Sequence, residues 1–538
     1  MMQQNSQVPY FVLNQKTQRD SGFQVQIKNI QMAVRIADVI RTCLGPRAML
    51  KMLMDPMGGV VLTNDGNCVL REIMVDHPTA KCMIEIARTQ DEEVGDGTTS
   101  VIVLSAEILS ICEKFVNQKI HPTHIISALR TVTKYTLECL DSISVKIDTN
   151  NIQSDVVKNI VKSSLYTKFS EDWVDFAATM AIKAVNYVKI IENNKVQIDV
   201  KRYAKVEKIP GGTFTDSQVL DGVMVNKDIL HPKMRRRIIN PRILLLDCSL
   251  EYKKGESKTE VEIKDEKYFT QLLHEEEFYI KKLCDKLIDA KPDLVVTEKG
   301  VSDLAQHFLT RANISVLRRV RKSDNLRIAR ATGATILNQF ADIKESHIGK
   351  KCGLFEVRKI GDDYFSFIVD CKDPNACTLL LRGVSKDLIN EYERNLHDAM
   401  CVGRNIMMND KILYGGGCCE MKISALLREK AKEHVGMLKK GFNAVASALE
   451  IIPSTLILNC GGNIISRMTE LRSEHVSNSK SNMGINGLTG NITNMEQLNV
   501  YDTFLVKQQT IKSAVDTAIL ILRIDDIITG TKKREDVK

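Results

Sequence analysis

"DEEVGDGTTSVIVLSAEIL", Asp91 to Leu109, sets an acid between two glycines, follows it with two threonines, and then runs into apolar residues at helical spacing. A helix starting near Thr98 would present unpaired backbone N–H groups and the positive end of its macrodipole. Two readings follow. In one, Gly95 and Gly97 let the chain approach a phosphate, Thr98 and Thr99 add hydroxyl donors, and the helix start is an anion site. Asp96 repels a bare phosphate, so it makes sense there only with a hard cation such as Mg2+ between them. In the other, Thr98 or Thr99 is an N-cap for a core helix after a glycine turn. On the five residues GDGTT alone, the cap is the more economical reading.

Around this stretch the first third of the chain is helical in pattern. "NIQMAVRIADVIRTCLGPRAMLKMLMD" carries apolar residues at helical spacing, broken at Gly45-Pro46. Helices are expected from about Thr98 to Gln118, after Pro122 in "HPTHIISALRTVTKYTLECLDSI", and over Asn151–Leu165 and Glu171–Tyr187. The middle changes character. "PRILLLD" (Pro241–Asp247), "PDLVVTE" (Pro292–Glu298), "NISVLRRV" (Asn313–Val320) and "GATILNQ" (Gly333–Gln339) are short branched apolar runs. Between them lie helical candidates at Phe269–Ala290, Ser302–Arg311 and Ser323–Thr332, so a parallel or mixed sheet flanked by helices is expected. "IDVKRYAKVEKIPGG" and "DGVMVNKDIL" read as further strands with turns. The charged run Leu250–Phe269 fits neither pattern and reads as an exposed excursion. The last third is helical again, at Ser385–Met408, Cys418–Glu433, Gly441–Ile452 and Ile511–Asp525.

At 538 residues the chain exceeds one ordinary core, so two to four domains or sub-domains are expected. With 43% hydrophobic and 26% charged residues it has the composition of a globular protein. A net charge of +8, from 75 Lys and Arg against 67 Asp and Glu, is too weak a bias to mark a nucleic-acid partner. No apolar run reads as long enough to cross a bilayer, and "MMQQNSQVPYFVLNQKTQRD" lacks the layout of a signal peptide. The expectation is a cytoplasmic protein with no membrane partner. Its 14 cysteines show no CxxC pair or zinc spacing and read as buried thiols, with Cys371/Cys377 and Cys418/Cys419 standing slightly apart.

No GxxxxGK[ST], GxGxxG, HExxH or kinase catalytic-loop signature occurs, so a nucleotide would need a site of another design. "LTNDGNCVL" places Asp65 and Gly66 at a tight turn, "CLGPR" puts Gly45 at a helix break, and "YGGGCCEMKISALL" sets three glycines before a helix. "ERNLHDAM" places Asp398 within a helix among apolar neighbours. Each has a structural alternative as well: hairpin turn, helix stop, helix start and exposed helical face.

Taken together and in order, "CLGPRAMLKML … LTNDGN … RTQDEEVGDGTTSVIVLSAE … KVEKIPGG … ERNLHDAM … YGGGCCE … ILRIDDII" resembles the group II chaperonins over essentially the whole chain. "DPMGG", "LEYKKGES", "TEKGVSDLAQH", "RRVRKSDNLRIARATGA" and "DCKDPNACTLLLRG" are similar to the eukaryotic cytosolic branch, TRiC/CCT. The resemblance implies a multidomain α and α/β chaperonin fold. Its parts would be a helical equatorial ATPase domain (1–148 and 406–538), a small intermediate hinge domain (149–216 and 375–405) and an α/β apical domain (217–374). A helical protrusion at about 250–278 would serve as lid.

It also implies ATP and Mg2+ as ligands. Asp96 would hold the metal, and Gly97, Thr98, Thr99 and Ser100 would wrap the phosphates. Gly45 would touch nucleotide through its backbone, with Asp65 and Gly66 near the γ-phosphate and attacking water. Asp398 would be the hydrolytic aspartate, acting when the hinge closes. Thr167 and Lys168 match a nucleotide-sensing loop. Gly416, Gly417 and Gly487 match the adenosine side, and Asp502 and Lys507 the ribose. Two departures stand out. Cys418 holds a small-residue place often taken by Ala, and Asp502-Thr503 replaces a common Glu-Pro. Ser302, Gln306, His307 and Arg311 match a substrate-facing helix. The implied partners are paralogous subunits in a double ring of eight per ring, unfolded clients of actin and tubulin type, and prefoldin-type co-chaperones. The basic cluster Arg235–Arg237 with Arg318, Arg319 and Arg321 reads as solvated or paired side chains.

Overall fold

Helix Thr98–Asn117 forms as its pattern demands, and it is apolar nearly all round: Val101 to Leu104, Ala106, Ile108, Leu109 and Cys112 are all buried. A helix of that kind must be wrapped on every side. The wrapping comes from both ends of the sequence. Phe23–Arg41, Pro78–Glu93 and Pro122–Ile143 pack around it from one end, and Gly436–Leu449 and Phe504–Leu522 from the other. The computed structural model describes residues 18–54, 58–147, 155–169, 171–193, 195–252, 266–478 and 481–529. It divides into two compact units, Met1–Val174 with Asn409–Lys538, and Asp175–Met408.

Several local expectations are corrected in the first unit. Beyond Gly45-Pro46 the pattern does not continue as helix, because Lys51–Met54 is a strand paired antiparallel with Val60–Thr63. Asp65 lies at a helix start, not in a hairpin turn, and its side chain caps the short helix Gly66–Glu72. Gly436–Asn459 is, against expectation, long and apolar enough by composition to cross a membrane. Its chain is instead two successive core helices, Gly436–Leu449 and Ile451–Asn459, with Phe442, Val445, Leu449 and Ile457 buried. Glu450 at their junction is buried and tied to Arg428 (2.8 Å) and Arg472 (3.0 Å), which marks a protein interior that satisfies its charges.

In the second unit the four apolar runs form one parallel sheet, ordered Ser315–Leu317, Leu294–Thr297, Ile243–Leu246, Ile336–Leu337. Leu244, Leu245, Val295 and Val296 are fully buried, because helices Glu266–Asp289, Asp303–Arg311 and Lys322–Thr332 connect the strands. Of the antiparallel sheet of Arg237–Ile239, Leu354–Ile360, Asp363–Val369 and Val223–Val225, the sequence pattern marked only Val223–Val225, within "DGVMVNKDIL". A three-stranded sheet joins Ala204–Pro210, Cys377–Gly383 and Gln218–Leu220, and Val200–Tyr203, expected as strand, is a single helical turn. Most of the charged excursion expected as the lid falls on 253–265, outside the described residues.

The spacing Cys371/Cys377 does not make a pair. Cys377 Sγ meets the Ala184 carbonyl at 3.7 Å, whereas Cys371 lies beside Cys352 across the antiparallel ladder. All 14 cysteines are free thiols, and Cys418 and Cys419 are buried.

Candidate functional site

Gly97, not a threonine, is the N-cap of helix Thr98–Asn117. Its φ of 77° is left-handed, and a Cβ there would lie 2.9 Å from Thr510 Oγ1 and 3.1 Å from Val506 Cγ1. Glycine is therefore required twice over, by backbone and by space. No side chain among the described residues caps this helix. The Thr98 hydroxyl is committed elsewhere, donating to Asp65 Oδ1 at 3.1 Å. Asp65 Oδ2 accepts from the Cys68 N–H at 3.0 Å, so the carboxylate is fixed by two bonds between two helix starts. Gly66 lets those starts touch, since a Cβ on it would meet Thr99 Oγ1 at 2.6 Å.

Asp96 Oδ1 accepts from the Gly97 N–H at 2.7 Å, and the Asp96 carbonyl accepts from Gln90 Nε2 at 3.0 Å. Burial pushes the Asp96 carboxyl above its usual range. Lys168 and Lys507 oppose that rise and Asp502 adds to it. Lys168 follows helix Asp155–Leu165 in a turn where the Thr167 carbonyl accepts from Asn64 Nδ2 at 3.0 Å. The expected sensing loop thus lies one residue from Asp65. Ser100 is half-buried in the same first turn as Thr98 and Thr99.

The glycine triplet also opens a helix, Cys418–Ala431, with Gly417 as its left-handed N-cap at φ 77°. The Gly416 carbonyl accepts from the Ile485 N–H at 2.8 Å. Gly487 lies against Pro46, where an added Cβ would sit 2.5 Å from Pro46 Cδ, so the Gly45 loop and the Gly487 loop meet. Asn459 Nδ2 fastens the first of these through the Leu44 carbonyl at 2.7 Å. Asp502 lies on strand Tyr501–Thr503, opposite Leu413 of the strand that leads into the triplet. Lys507 reaches Asp502 Oδ2 at 3.0 Å and Glu420 Oε1 at 2.6 Å. Burial pushes the Cys418 thiol up to about 12, so it serves this helix start as a small neutral side chain.

Thus Gly45, Asp65, Gly66, Asp96–Ser100, Thr167, Lys168, Gly416, Gly417, Gly487, Asp502 and Lys507 form a linked set within the first unit. Gln90 was missed. It is buried, and its amide joins the Asp96 carbonyl to Thr510 Oγ1 at 3.2 Å, a partner 420 residues away that no local pattern could give. The cradle fits a nucleotide phosphate in its bare helix start, close backbone approach and hydroxyls. Among the described residues no group of three or more His, Cys, Asp or Glu forms a metal cage. A Mg2+ ion there would use Asp96 with phosphate oxygens, the usual arrangement for that ion.

Asp398 and the substrate-facing set belong to the second unit. Asp398 is half-buried on helix Lys386–Met408, between buried Leu396 and Ala399. Ser302 caps helix Asp303–Arg311, its Oγ accepting from the Ala305 N–H at 3.3 Å, so its role there is structural. Gln306, His307 and Arg311 line a cavity of about 430 Å³ with His231, Lys233, Asp303 and Thr310. The His231 and Lys233 wall comes from "LHPKM", which carried no signal of its own.

The description "TCP-1/cpn60 chaperonin family" fits residues 36–532. The T-complex protein 1 subunit gamma of Homo sapiens is 54% identical over 528 residues, covering 98% of this chain and 96% of that protein. The subunit of the same name from Xenopus laevis is 55% identical over 526 residues, and that from Drosophila melanogaster 56% over 532, with the same coverage. The chain belongs to the TCP-1/cpn60 chaperonin family.

Proposed function

We propose that this chaperonin chain is an ATP-hydrolysing subunit of a hetero-oligomeric double ring of eight paralogous subunits per ring. The observation that carries the ATP reading is the joint start of two helices at Asp65 and Gly97, with bound hydroxyls and a desolvated acid beside it. Phosphate oxygens would take the backbone N–H groups of Thr98, Thr99 and Ser100 and the hydroxyls of Thr99 and Ser100, the Thr98 hydroxyl being held by Asp65. Bound Mg2+, held through Asp96, would supply neutralisation of phosphate charge. Asp65, fixed by Thr98 and Cys68, orients the attacking water, and Asp398 accepts its proton in an in-line displacement. Gly45, Gly416, Gly417 and Gly487 give the backbone surface for the nucleoside, with Asp502 toward the sugar. Thr167 and Lys168 report the state of the phosphates.

Hydrolysis would close a lid built from the segment at about 250–278. Non-native cytosolic proteins of actin and tubulin type, delivered by prefoldin-type co-chaperones, would first meet Gln306, His307 and Arg311. The three-domain division of the chain belongs to the same proposal.

Asp398→Ala, introduced into the chain within its particle, tests it. We expect loss of this subunit's share of ATP turnover with nucleotide binding retained. Unchanged turnover would remove Asp398 from the role.

A further inference from the structure

One turn of helix Phe504–Leu522 touches both ends of the candidate nucleotide site. Val506 and Thr510 lie against Gly97, and Thr510 receives the Gln90 amide that holds the Asp96 carbonyl. Between them, Lys507 extends to the other end. Its ammonium is shared by Glu420 Oε1 at 2.6 Å and Asp502 Oδ2 at 3.0 Å, and its side chain is only 13% exposed. The resemblance sets Lys507 beside the ribose as a ligand, yet its ammonium is already held within the protein, hydrogen-bonded to Glu420 and ion-paired with Asp502.

We propose that Lys507 is a positioning residue: with Glu420 behind it, Lys507 holds the Asp502 carboxylate in the orientation in which that acid meets the sugar hydroxyls of a bound nucleotide. The inference rests on the ATP reading above and deepens it. Lys507 ion-pairs with Asp502 through Oδ2, which leaves Oδ1 to face a ligand. The carboxylate stands over the glycine triplet, because a Cβ on Gly415 would lie 3.3 Å from Asp502 Oδ2. Glu420 is 6% exposed and its Oε2 has no hydrogen-bond partner among the described residues. A buried ion pair left incomplete in this way is poorer for stability than well-packed apolar side chains. Its use lies in what it does to the half-exposed Asp502. Burial alone would discharge Lys507, but Asp502 and Glu420 outweigh it and keep the ammonium charged.

The test is nucleotide binding by the full-length chain, comparing ATP with 2′-deoxy- and 3′-deoxy-ATP in the presence of Mg2+. Lys507→Met alone would strand two acids, so the informative variant is Glu420→Gln with Lys507→Met, which removes the pair as a unit. The unaltered chain should bind ATP about tenfold more tightly than the analogue lacking the bonded hydroxyl. In the double variant that ratio should fall to within about twofold, with the thermal midpoint recorded alongside, and Lys507→Arg should restore part of it. A merely structural role would move the midpoint and leave the ratio. A retained ratio in the folded double variant overturns the proposal, and if that variant does not fold, Glu420→Gln alone is read in the same way. Failure of the unaltered chain to bind ATP would overturn the ATP reading and this proposal together, a result distinct from a retained ratio.

Discussion

Asp96 shows how one residue trades stability for a site. Its carboxyl is desolvated, and its proton affinity lies above the ordinary value of 3.8 for that reason first. The folded chain then keeps a proton that the unfolded chain has already lost. Stability without ligand therefore falls as pH rises above about 3.8 through the window up to the raised value. Asp96→Asn removes that cost and keeps an oxygen for the Gly97 N–H. We expect its thermal midpoint at neutral pH to rise, by roughly 1 kcal/mol of stability, when no nucleotide is present. Stabilisation by ATP with Mg2+ should vanish in the same variant. A lower midpoint in scanning calorimetry would show that the carboxylate supports the loop. The acid between two glycines was legible in the sequence; its energetic state was not, because burial comes from the assembled fold and the charges that modulate it, Lys168, Asp502 and Lys507, lie elsewhere in the chain.

At the scale of elements, legibility followed periodicity. Thr98–Asn117, Pro122–Ile143 and the four parallel strands stand close to where pattern put them, because wide apolar faces and continuous branched runs are local signals. Three strands of the antiparallel sheet were missed because Leu354–Ile360 carries charged Arg358 and Lys359 near its end, and its partner Arg237–Ile239 lies more than a hundred residues away. That ladder runs on past the named strands, with the Gly353 N–H donating to Asp370 at 3.0 Å and the Lys372 N–H to Lys351 at 2.9 Å. Cys352 and Cys371 face one another between those bonds. Their proximity and burial push the Cys371 thiol far up, and burial raises Cys377 to about 12. A thiol three units above its ordinary value has roughly a thousandfold less thiolate at neutral pH. Native chain treated with a maleimide should therefore be labelled first among partly exposed Cys68, Cys82, Cys248 and Cys460. Cys352, Cys371 and Cys377 should react only after unfolding. Early labelling of that trio, read by peptide mass spectrometry, would place them nearer solvent than these two sheets allow.

For the whole molecule, the order of elements alone never says that Met1–Val174 and Asn409–Lys538 share one core; the wrapping of Thr98–Asn117 does. The same reasoning from unsatisfied surface bears on assembly. The ribbon Lys51–Met54 with Val60–Thr63 turns Met52 (72% exposed) and Met54 (78% exposed) outward, and Met49 and Leu50 continue the apolar strip. A two-stranded ribbon is barely stable by itself, and a strip of this kind is kept when a partner covers it. On the ring assembly proposed above, that partner would be the neighbouring paralogue, which would both bury the methionines and lend the ribbon further strands. Met52→Lys with Met54→Lys leaves the core around Thr98–Asn117 untouched, so the chain should still fold, with its thermal midpoint changed by less than about 1 kcal/mol of stability. Its share in a particle many times 60.5 kDa should drop severalfold relative to the unaltered chain, with the remainder eluting near the monomer on native mass analysis. If the double variant enters the large particle as well as the unaltered chain, the ribbon is not the contact, and the apolar strip needs another explanation.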